Sequence, residues 1–390
     1  MKGRSVFRRL FPYLDPQVLR RLRREGLWRK LANYLLVELQ MGLKSVTMLG
    51  KPYWLTVDPT NFCQLKCPFC PTGAERNVRP KGSMRLEHFR HILDSLGPTL
   101  IHIDFMNWGE PLLNKEIYAM ISEAKRHRID TMLSTNLNAF GPKAAEDMVN
   151  SGLDRLIISI DGLSQETYEK YRVGGSYAAV VANLKLLAAA RKRLGRRTPR
   201  IHWQFLVFKH NEHEIDSVRE TALSAGADEA YVAPATMPFK PGIRENWLPT
   251  RREFSFYDPE TFPDSPPWHW DESKPKDGEA PSVDVKVFRE NERKICNWPW
   301  AGITINPSGS VSPCCGVEEE EYDFGNFFDQ PFRRLRNNEL YRRSRRHVGR
   351  YAAGKADSIP NSKHACERCF SIGKVGFQMH PEWLEGCVKR

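Results

Sequence analysis

The chain lacks the features of a secreted or membrane-spanning protein. No apolar run reaches the length of a membrane span, and the nearest candidate, around Leu35 to Leu39, is interrupted by Glu38. Basic residues continue at the N-terminus where a signal peptide needs its apolar stretch. No recognised nucleic-acid-binding module accompanies the excess positive charge. We therefore expect a cytoplasmic protein that does not bind nucleic acid.

Disulfides are not expected in a reducing compartment, so the nine cysteines need another explanation. Clustered cysteines at short spacings are typical of metal or iron–sulfur ligands. Three of them lie together at Cys63, Cys67 and Cys70. The last 100 residues contain Cys296, Cys314, Cys315, Cys366, Cys369 and Cys387.

The net charge of +12 arises mainly in the first 30 residues, which hold ten Lys or Arg and two Asp or Glu. Apolar positions at Val18, Leu22, Leu31, Leu35 and Leu39 indicate an amphipathic helix, broken near residue 26. Such a face most often packs on the body of its own protein. Contact of residues 1–45 with an anionic membrane surface, or with an acidic partner, is the alternative, and would make the protein peripheral at the membrane.

Short β-rich runs and helical patterns alternate about six times between residues 51 and 235. This alternation predicts an α/β fold, a partial (β/α)6 TIM-like barrel with its functional residues at the C-terminal ends of the strands. We predict four segments. They are a basic amphipathic helical arm (1–50), the barrel (51–235), a Pro-rich connection (236–290) and a cysteine-bearing domain (291–390).

The first three cysteines have the spacing C-x3-C-x2-C in a loop that follows the first predicted strand. Three thiolates can hold three irons of a cubane cluster, which leaves the fourth iron free for a chelating substrate. A zinc site is the alternative, but structural zinc sites need four ligands, usually from two paired motifs.

This loop, with Phe69 before the third cysteine, resembles the cluster-binding loop of the radical S-adenosylmethionine (radical SAM) superfamily. The strand ends that follow carry further resemblances. Trp108-Gly109-Glu110-Pro111 is similar to the family's GGEP motif, with Trp108 in place of the first glycine, and Ser159-Ile160-Asp161-Gly162 is similar to its SxDG element. The cofactor contacts that the resemblance implies are Phe69, Gly109, Glu110, Thr135, Asn136, Ser159, Arg172 and Val207.

The resemblance implies a 4Fe-4S cluster and S-adenosylmethionine as cofactors. It also implies reductive cleavage of that cofactor to a 5′-deoxyadenosyl radical, which abstracts a hydrogen atom from the substrate. A reducing partner such as flavodoxin or ferredoxin would supply the electron. No spacing in the sequence selects a general base.

The C-terminal cysteines supply four thiolates, which suit either zinc or a fully ligated cluster. Twelve residues separate Cys296 from Gly309 and four separate Gly309 from Cys314, which resembles the opening of a SPASM auxiliary-cluster domain. The later cysteines of a complete SPASM domain are absent after Cys369, so the segment is similar to the shortened twitch form. The implied ligands of one auxiliary 4Fe-4S cluster are Cys296, Cys314, Cys366 and Cys369. Cys315 competes with Cys314, and Cys387 is a surplus thiol or an alternative ligand.

A second cluster without an open iron favours an electron-transfer role. Our first hypothesis is therefore a dehydrogenase-like net oxidation of a small polar metabolite, a sugar or an aminocyclitol, with the auxiliary cluster as electron acceptor. The alternatives are a peptide maturase, a modifier of a lipid-linked substrate, and a non-catalytic protein stabilised by zinc or a cluster.

Overall fold

The computed structural model describes residues 14–75, 79–238, 241–255, 296–355 and 362–369. Its centre is one eight-stranded sheet in the order β6-β5-β4-β3-β2-β1-β7-β8. Strands β1 to β6 are parallel, and they alternate with helices as the sequence predicts. The strands are β1 (Trp54–Val57), β2 (His102–Phe105), β3 (Asp130–Thr135), β4 (Arg155–Ser159), β5 (Arg200–Val207), β6 (Glu229–Pro234), β7 (Gly302–Ile305) and β8 (Val311–Ser312).

Two helices precede the sheet, α1 (Pro16–Arg24) and α2 (Trp28–Gly42). The crossovers between parallel strands contain α3 (Leu86–Leu96), α4 (Ile117–Arg126), α5 (Pro142–Asn150), α6 (Gln165–Tyr171), α7 (Tyr177–Arg193) and α8 (Ile215–Ser224). After β6 come α9 (Ile243–Asn246), α10 (Trp298–Ala301), α11 (Phe332–Arg336), α12 (Glu339–Tyr351) and α13 (Ala365–Arg368). The sequence did not predict α6 or any of the five helices after β6.

The two faces of the sheet differ in polarity. Alternate residues, such as Leu55 of β1 and Phe105 of β2, pack in the large apolar core. The residues between them point the other way, because successive side chains in a strand face opposite sides. On that inner face lie Thr56, His102 and Asp104, all buried and polar. The inside of the partial barrel is therefore a polar environment.

The C-terminal segment continues the barrel sheet. Strand β7 pairs in parallel with β1, Trp54 opposite Gly302, and β8 returns antiparallel to β7. Gly309 takes a φ of +86° in the connecting turn, as the predicted hairpin requires. The boundary predicted at residue 291 stays a prediction, because the two segments share one sheet. Most of the predicted connection 236–290 lies outside the described residues.

The N-terminal arm packs on the barrel. Gly26, at a φ of +67°, separates the two helices of the arm. Val18, Leu22 and Leu31 are buried in a second apolar cluster together with Trp54. Arg21 forms an ion pair with Asp130 of β3. Among the described residues, no helix is long and apolar enough to cross a membrane.

Candidate functional site

The first three cysteines lie in the loop that leaves the C-terminal end of β1. The amide of Cys70 donates to the carbonyl of Cys67 at 3.2 Å, and the amide of Leu65 donates to the Cys63 sulfur at 3.4 Å. Gly73 permits this tight turn, since a Cβ there would lie 2.5 Å from the Cys67 nitrogen. Burial raises the pKa of the Cys63 thiol to about 12 and also raises that of Cys67.

Gly109 brings the loop after β2 against the cysteine loop. A Cβ at this position would lie 1.7 Å from the carbonyl oxygen of Thr60, so only glycine fits without backbone movement. The next amide, of Glu110, donates to the Phe62 carbonyl at 3.0 Å. Asp58, which the sequence analysis missed, is buried beside this contact. Burial raises its pKa to about 7, against the effect of the backbone amides of Gly109 and Trp108.

Glu110 and Thr135 form a buried network that joins the ends of β2 and β3. The Thr135 hydroxyl donates to Glu110 Oε1 at 2.6 Å, and the Asn136 amide donates to Oε2 at 2.8 Å. Burial raises the pKa of the Glu110 carboxyl, and these hydrogen bonds oppose the rise. Both side chains are thus engaged with protein groups, which assigns them to holding the two loops in position.

Two polar side chains reach the cysteine sulfurs. Asn136 Nδ2 lies 3.5 Å from Cys63 Sγ, and Arg172 Nη1 lies 3.9 Å from Cys67 Sγ. Arg172 Nε also donates to Asp161 at 2.6 Å. Burial alone would lower the pKa of Arg172, but the Asp161 carboxylate and the Cys67 sulfur raise it above its ordinary value. Asp161 entered the sequence analysis only as part of a motif, yet it anchors this arginine.

Ser159 and Val207 differ in their orientation to the site. Ser159 lies on the inner side of β4, and no hydrogen bond of its hydroxyl is found within the described part of the chain, so the group is available to a ligand. Val207 is fully buried in the main core, on the helix-covered side of β5. The neighbouring Leu206 packs instead with the cluster around Phe69 and the cysteine loop. The strand alternation therefore places Leu206, and not Val207, on the side of the sheet that faces the cysteine loop, and the cofactor contact of either residue stays a prediction.

An aromatic wall closes one side of the cysteine loop. The ring of Phe69 lies 5.7 Å from that of Tyr171, 5.9 Å from that of Phe208 and 4.7 Å from that of Trp247, between centroids. Trp247 belongs to the segment after β6, and its carbonyl accepts from the Lys209 amide at 2.9 Å. No pattern in the sequence assigns Trp247 to the site.

The C-terminal cysteines come together from two distant segments. Cys296, Cys314, Cys366 and Cys369 all pack against the apolar cluster that holds the N-terminal helices. Burial raises the pKa of Cys296 and of Cys314 to about 12. Burial also raises the pKa of Cys366, a hydrogen bond with Ser344 opposes the rise, and the charges of Cys314, Cys296 and Cys369 add to it.

Cys315 lies on the barrel side of this group. Its thiol interacts with Cys314 and with Asp104 of β2, and burial raises its pKa well above the ordinary value. With its amide oriented to satisfy both hydrogen bonds, Asn107 donates to the Cys315 carbonyl at 3.0 Å. Asn107 directly precedes Trp108, so the loop after β2 contacts the segment of Cys315. Cys387 lies outside the described residues.

Both groups of thiols supply the ligand chemistry that iron–sulfur clusters use. Buried sulfurs that disfavour one another's charge become stable thiolates when a cation binds among them. The first group has three cysteines and the second has four beside the surplus Cys315. The strand ends around the first group carry further groups of the kind a small polar cofactor needs, the Ser159 hydroxyl and the Leu206 side chain among them.

Family models agree with this geometry. The model described as the radical SAM superfamily matches residues 57–220, and the SPASM model, an iron–sulfur cluster-binding domain, matches residues 296–370. The chain belongs to the radical SAM superfamily and carries a SPASM-type domain. These matches support a radical SAM enzyme over the non-catalytic alternative.

Several curated proteins are similar in sequence. The AdoMet-dependent heme synthase of Methanosarcina barkeri is 26% identical over 188 residues, 48% of this chain and 52% of that protein. The mycofactocin maturase MftC of Mycobacterium ulcerans is 27% identical over 46% of each chain. The matched segment thus spans about half the length of these two relatives. The PqqA peptide cyclase of Granulibacter bethesdensis is 24% identical over 70% of each chain.

Solved structures share the fold. Streptococcus suis SuiB bound to its precursor peptide SuiA superposes with a TM-score of 0.56 at 14% identity, over 91% of this chain and 78% of SuiB. The two family-model matches, not this likeness of fold, support a 4Fe-4S cluster, S-adenosylmethionine and auxiliary iron–sulfur as the cofactors, as the sequence predicts. When bound, they supply the radical that removes a hydrogen atom from the substrate.

Proposed function

We propose that the enzyme abstracts a hydrogen atom from a peptide substrate and completes a net oxidation, with the auxiliary cluster accepting the electron. One observation carries the peptide assignment. The similarity to PqqA peptide cyclase extends over 70% of both chains, further than the similarity to the heme synthase. The mycofactocin maturase is a second relative of this kind.

In this proposal the residues of the chain have distinct tasks. Cys63, Cys67 and Cys70 hold the first cluster, and Arg172 and Asn136 donate toward the Cys67 and Cys63 sulfurs. Donation to a sulfur stabilises its thiolate form. The Ser159 hydroxyl and Leu206 side chain would contact the cofactor on its polar and apolar sides. The aromatic wall at Phe69 and Trp247 excludes water from the loop.

The auxiliary site supports the oxidative half of the proposal. Cys296, Cys314, Cys366 and Cys369 would complete the ligand set, and a cluster without an open iron can exchange electrons but not bind substrate. The contact between Cys315, which follows the assigned ligand Cys314, and Asn107, two residues before Gly109, supports a position of this site near the loop of Gly109. The proposal has two further parts. They are a one-electron donor, such as flavodoxin or ferredoxin, and the predicted contact of residues 1–45 with a membrane surface.

A small polar metabolite, such as a sugar or an aminocyclitol, is the second candidate substrate. The observation that favours it is the polar inner face of the barrel. Half-buried Ser134 and Gln204 lie there beside the nearly buried Ser159 hydroxyl. Such groups can hydrogen-bond hydroxyls, and they can equally bond the backbone of a peptide.

Isotope transfer separates the two candidates. The reconstituted enzyme would be supplied with S-adenosylmethionine, a reductant and a deuterated substrate. The substrates are short peptides encoded beside its gene in one arm and sugars and aminocyclitols in the other. We expect deuterium in 5′-deoxyadenosine and a loss of two hydrogens from the peptide. Transfer from a sugar alone would replace the peptide by the second candidate.

A further inference from the structure

The outward side of helix α2 is apolar. Trp28, Leu35 and Leu43, the residue after the helix, are 62%, 36% and 60% exposed. At 3.6 residues per turn these three positions project from one side, with Ala32 and Leu39 between them. Leu49, a few residues further along, is 70% exposed. We call these six residues the outer apolar face.

The opposite side of α2 is apolar as well, and it packs against the barrel. Leu31, Tyr34 and Val37 are buried against the barrel. The packing that holds α2 in the fold therefore does not explain the leucines that point outward. A contiguous exposed apolar surface on a helix marks a contact with another body or with lipid.

Exposed basic residues precede the outer apolar face in the chain. Arg20, Arg23 and Arg24 of α1 and Arg29 of α2 are exposed. Of these, Arg24 has an acidic neighbour, Glu25 at 3.9 Å. An exposed apolar stripe with Trp and Leu, flanked by arginines, has the composition of a helix that lies in the plane of an anionic membrane surface.

An arginine-lined pocket lies beyond the C-terminal end of α2. Its volume is about 840 Å³, and its lining includes Thr47, Arg333, Arg334, Asn338 and Arg342. Within the described ranges none of these three arginines has an acidic partner, and Arg342 Nε is buried without a hydrogen bond. Asn338 caps the N-terminus of α12 at the same place, which adds the positive end of a helix dipole.

One carboxylate also lines the pocket. Glu339 stands beside the arginines, and its side chain pairs with Arg346 at 3.4 Å. Because this negative charge already has a partner, it does not neutralise Arg333, Arg334 or Arg342. The pocket keeps an excess of positive charge.

Two buried arginines add to the positive potential of the pocket. Arg345 donates to the carbonyls of Pro299, Val46 and Arg336, at 3.0, 2.9 and 2.7 Å. Arg336 donates to the carbonyls of Trp300 and Gly302. In the part of the chain with described coordinates, neither guanidinium meets a carboxylate, so their charges add to those of the pocket. Anions are attracted to such a region.

The pocket and the outer apolar face border each other. Asn337 of the pocket donates to the Met48 carbonyl at 2.9 Å and accepts from the Met48 amide at 2.7 Å. The next residue is the exposed Leu49. The 46–49 turn therefore joins an apolar surface to an anion-attracting pocket, which is the order of groups at a phospholipid interface.

We propose that this surface docks the enzyme on an anionic phospholipid membrane. The outer apolar face enters the acyl boundary, and the arginine pocket binds lipid phosphate, for which the planar guanidinium fork is suited. The inference rests on the membrane contact included in the proposed function and deepens it by naming the surface and the lipid phosphate that it binds. It is independent of the substrate that the enzyme modifies.

Vesicle sedimentation of the reconstituted full chain tests the proposal. Vesicles of phosphatidylcholine alone would be compared with vesicles that also contain phosphatidylglycerol. We expect pelleting only with the latter. Leu35→Glu with Leu43→Glu should weaken binding about tenfold or more, and so should Arg333→Ser with Arg334→Ser. Matched controls are Leu223→Glu, at an exposed position of α8, and Arg196→Ser with Arg197→Ser, in an exposed loop.

Several outcomes would overturn the proposal. They are absence of lipid-dependent pelleting, pelleting equal in the variants and the controls, or a concentration-dependent dimer that Leu35→Glu dissolves. Binding of a polyglutamate peptide in place of vesicles would assign the surface to an acidic partner. Inhibition by inorganic phosphate at low concentration, without vesicle binding, would leave only a free-phosphate site. All variants should retain cofactor cleavage in solution, which separates this test from that of the proposed function.

Discussion

The two cysteine sites of this enzyme are built in different ways. The first uses three thiols within eight residues of a single loop, positioned by local hydrogen bonds and by the close approach of Gly109. The second joins Cys296 and Cys314 to a helix more than fifty residues later, and long-range packing holds it together. The first site can therefore form wherever the barrel forms. The second needs the C-terminal segment to be seated on the sheet.

Removal of a ligand from each site gives the largest expected contrast. Cys67→Ala should abolish cleavage of S-adenosylmethionine and lower iron from about eight to about four per chain. Cys366→Ala should lower iron equally and retain cleavage, while the complete substrate oxidation is impaired. Iron analysis measures the cluster content of each variant, and 5′-deoxyadenosine formation measures cofactor cleavage. Retained cleavage in the Cys67 variant would refute the assignment of that loop.

Arg79 connects the two sites and should matter for the stability of both. It follows the cysteine loop and pairs with Asp323, its two nitrogens at 2.6 and 2.8 Å from the carboxylate oxygens. Arg79→Ala leaves this nearly buried carboxylate unpaired, and we expect a loss of about 3 kcal/mol in the free energy of unfolding. Denaturant unfolding measures it. Arg90→Ala, which breaks an exposed pair with Glu123, should lose less than about 1 kcal/mol.

Gly109→Ala tests the close approach of the two loops. The added Cβ would meet the Thr60 carbonyl, so the loops must separate, and we expect cofactor cleavage to fall about a hundredfold. The auxiliary iron should remain. Gly141→Ala is the matched control, because its Cβ would meet nothing within 4 Å. Equal activity of the two variants would show that the contact does not position the site.

Arg172→Lys tests whether the contacts of Arg172 with Asp161 and the Cys67 sulfur matter for cofactor binding. Lysine keeps the charge but cannot contact Asp161 and the Cys67 sulfur in the same planar arrangement. We expect the KM for S-adenosylmethionine to rise about tenfold, with folding preserved. Arg191→Lys, in a comparable pair with Asp228 away from the site, should leave the KM unchanged. A similar rise in both would point to a general effect on the fold.

The sequence predicted what local pattern encodes. The six parallel strands, the hairpin at Gly309 and the three-cysteine loop all follow from residues close together in the chain. The pairing of β1 with β7 joins Trp54 to Gly302, and no local signal encodes a contact at that separation. The same limit applies to Arg79 and its partner Asp323.

The orientation of single residues was harder to predict. Val207 and Leu206 are neighbours, and only the register of β5 decides which one faces the site. The tasks of Glu110 and Thr135 also depended on structure, since their mutual hydrogen bond engages groups that the motif alone would assign to the cofactor. The outward leucines of α2 fitted the predicted amphipathic pattern, but packing decided which side of the helix was buried.

Electron paramagnetic resonance of the reduced single-site variants tests the central claim most directly. Cys366→Ala keeps the cluster of the first loop, and its spectrum should change when S-adenosylmethionine binds to the open iron. Cys67→Ala keeps the auxiliary cluster, and its spectrum should be the same with and without the cofactor. A shift of the auxiliary spectrum on addition of S-adenosylmethionine would contradict the assignment of one open and one fully ligated cluster.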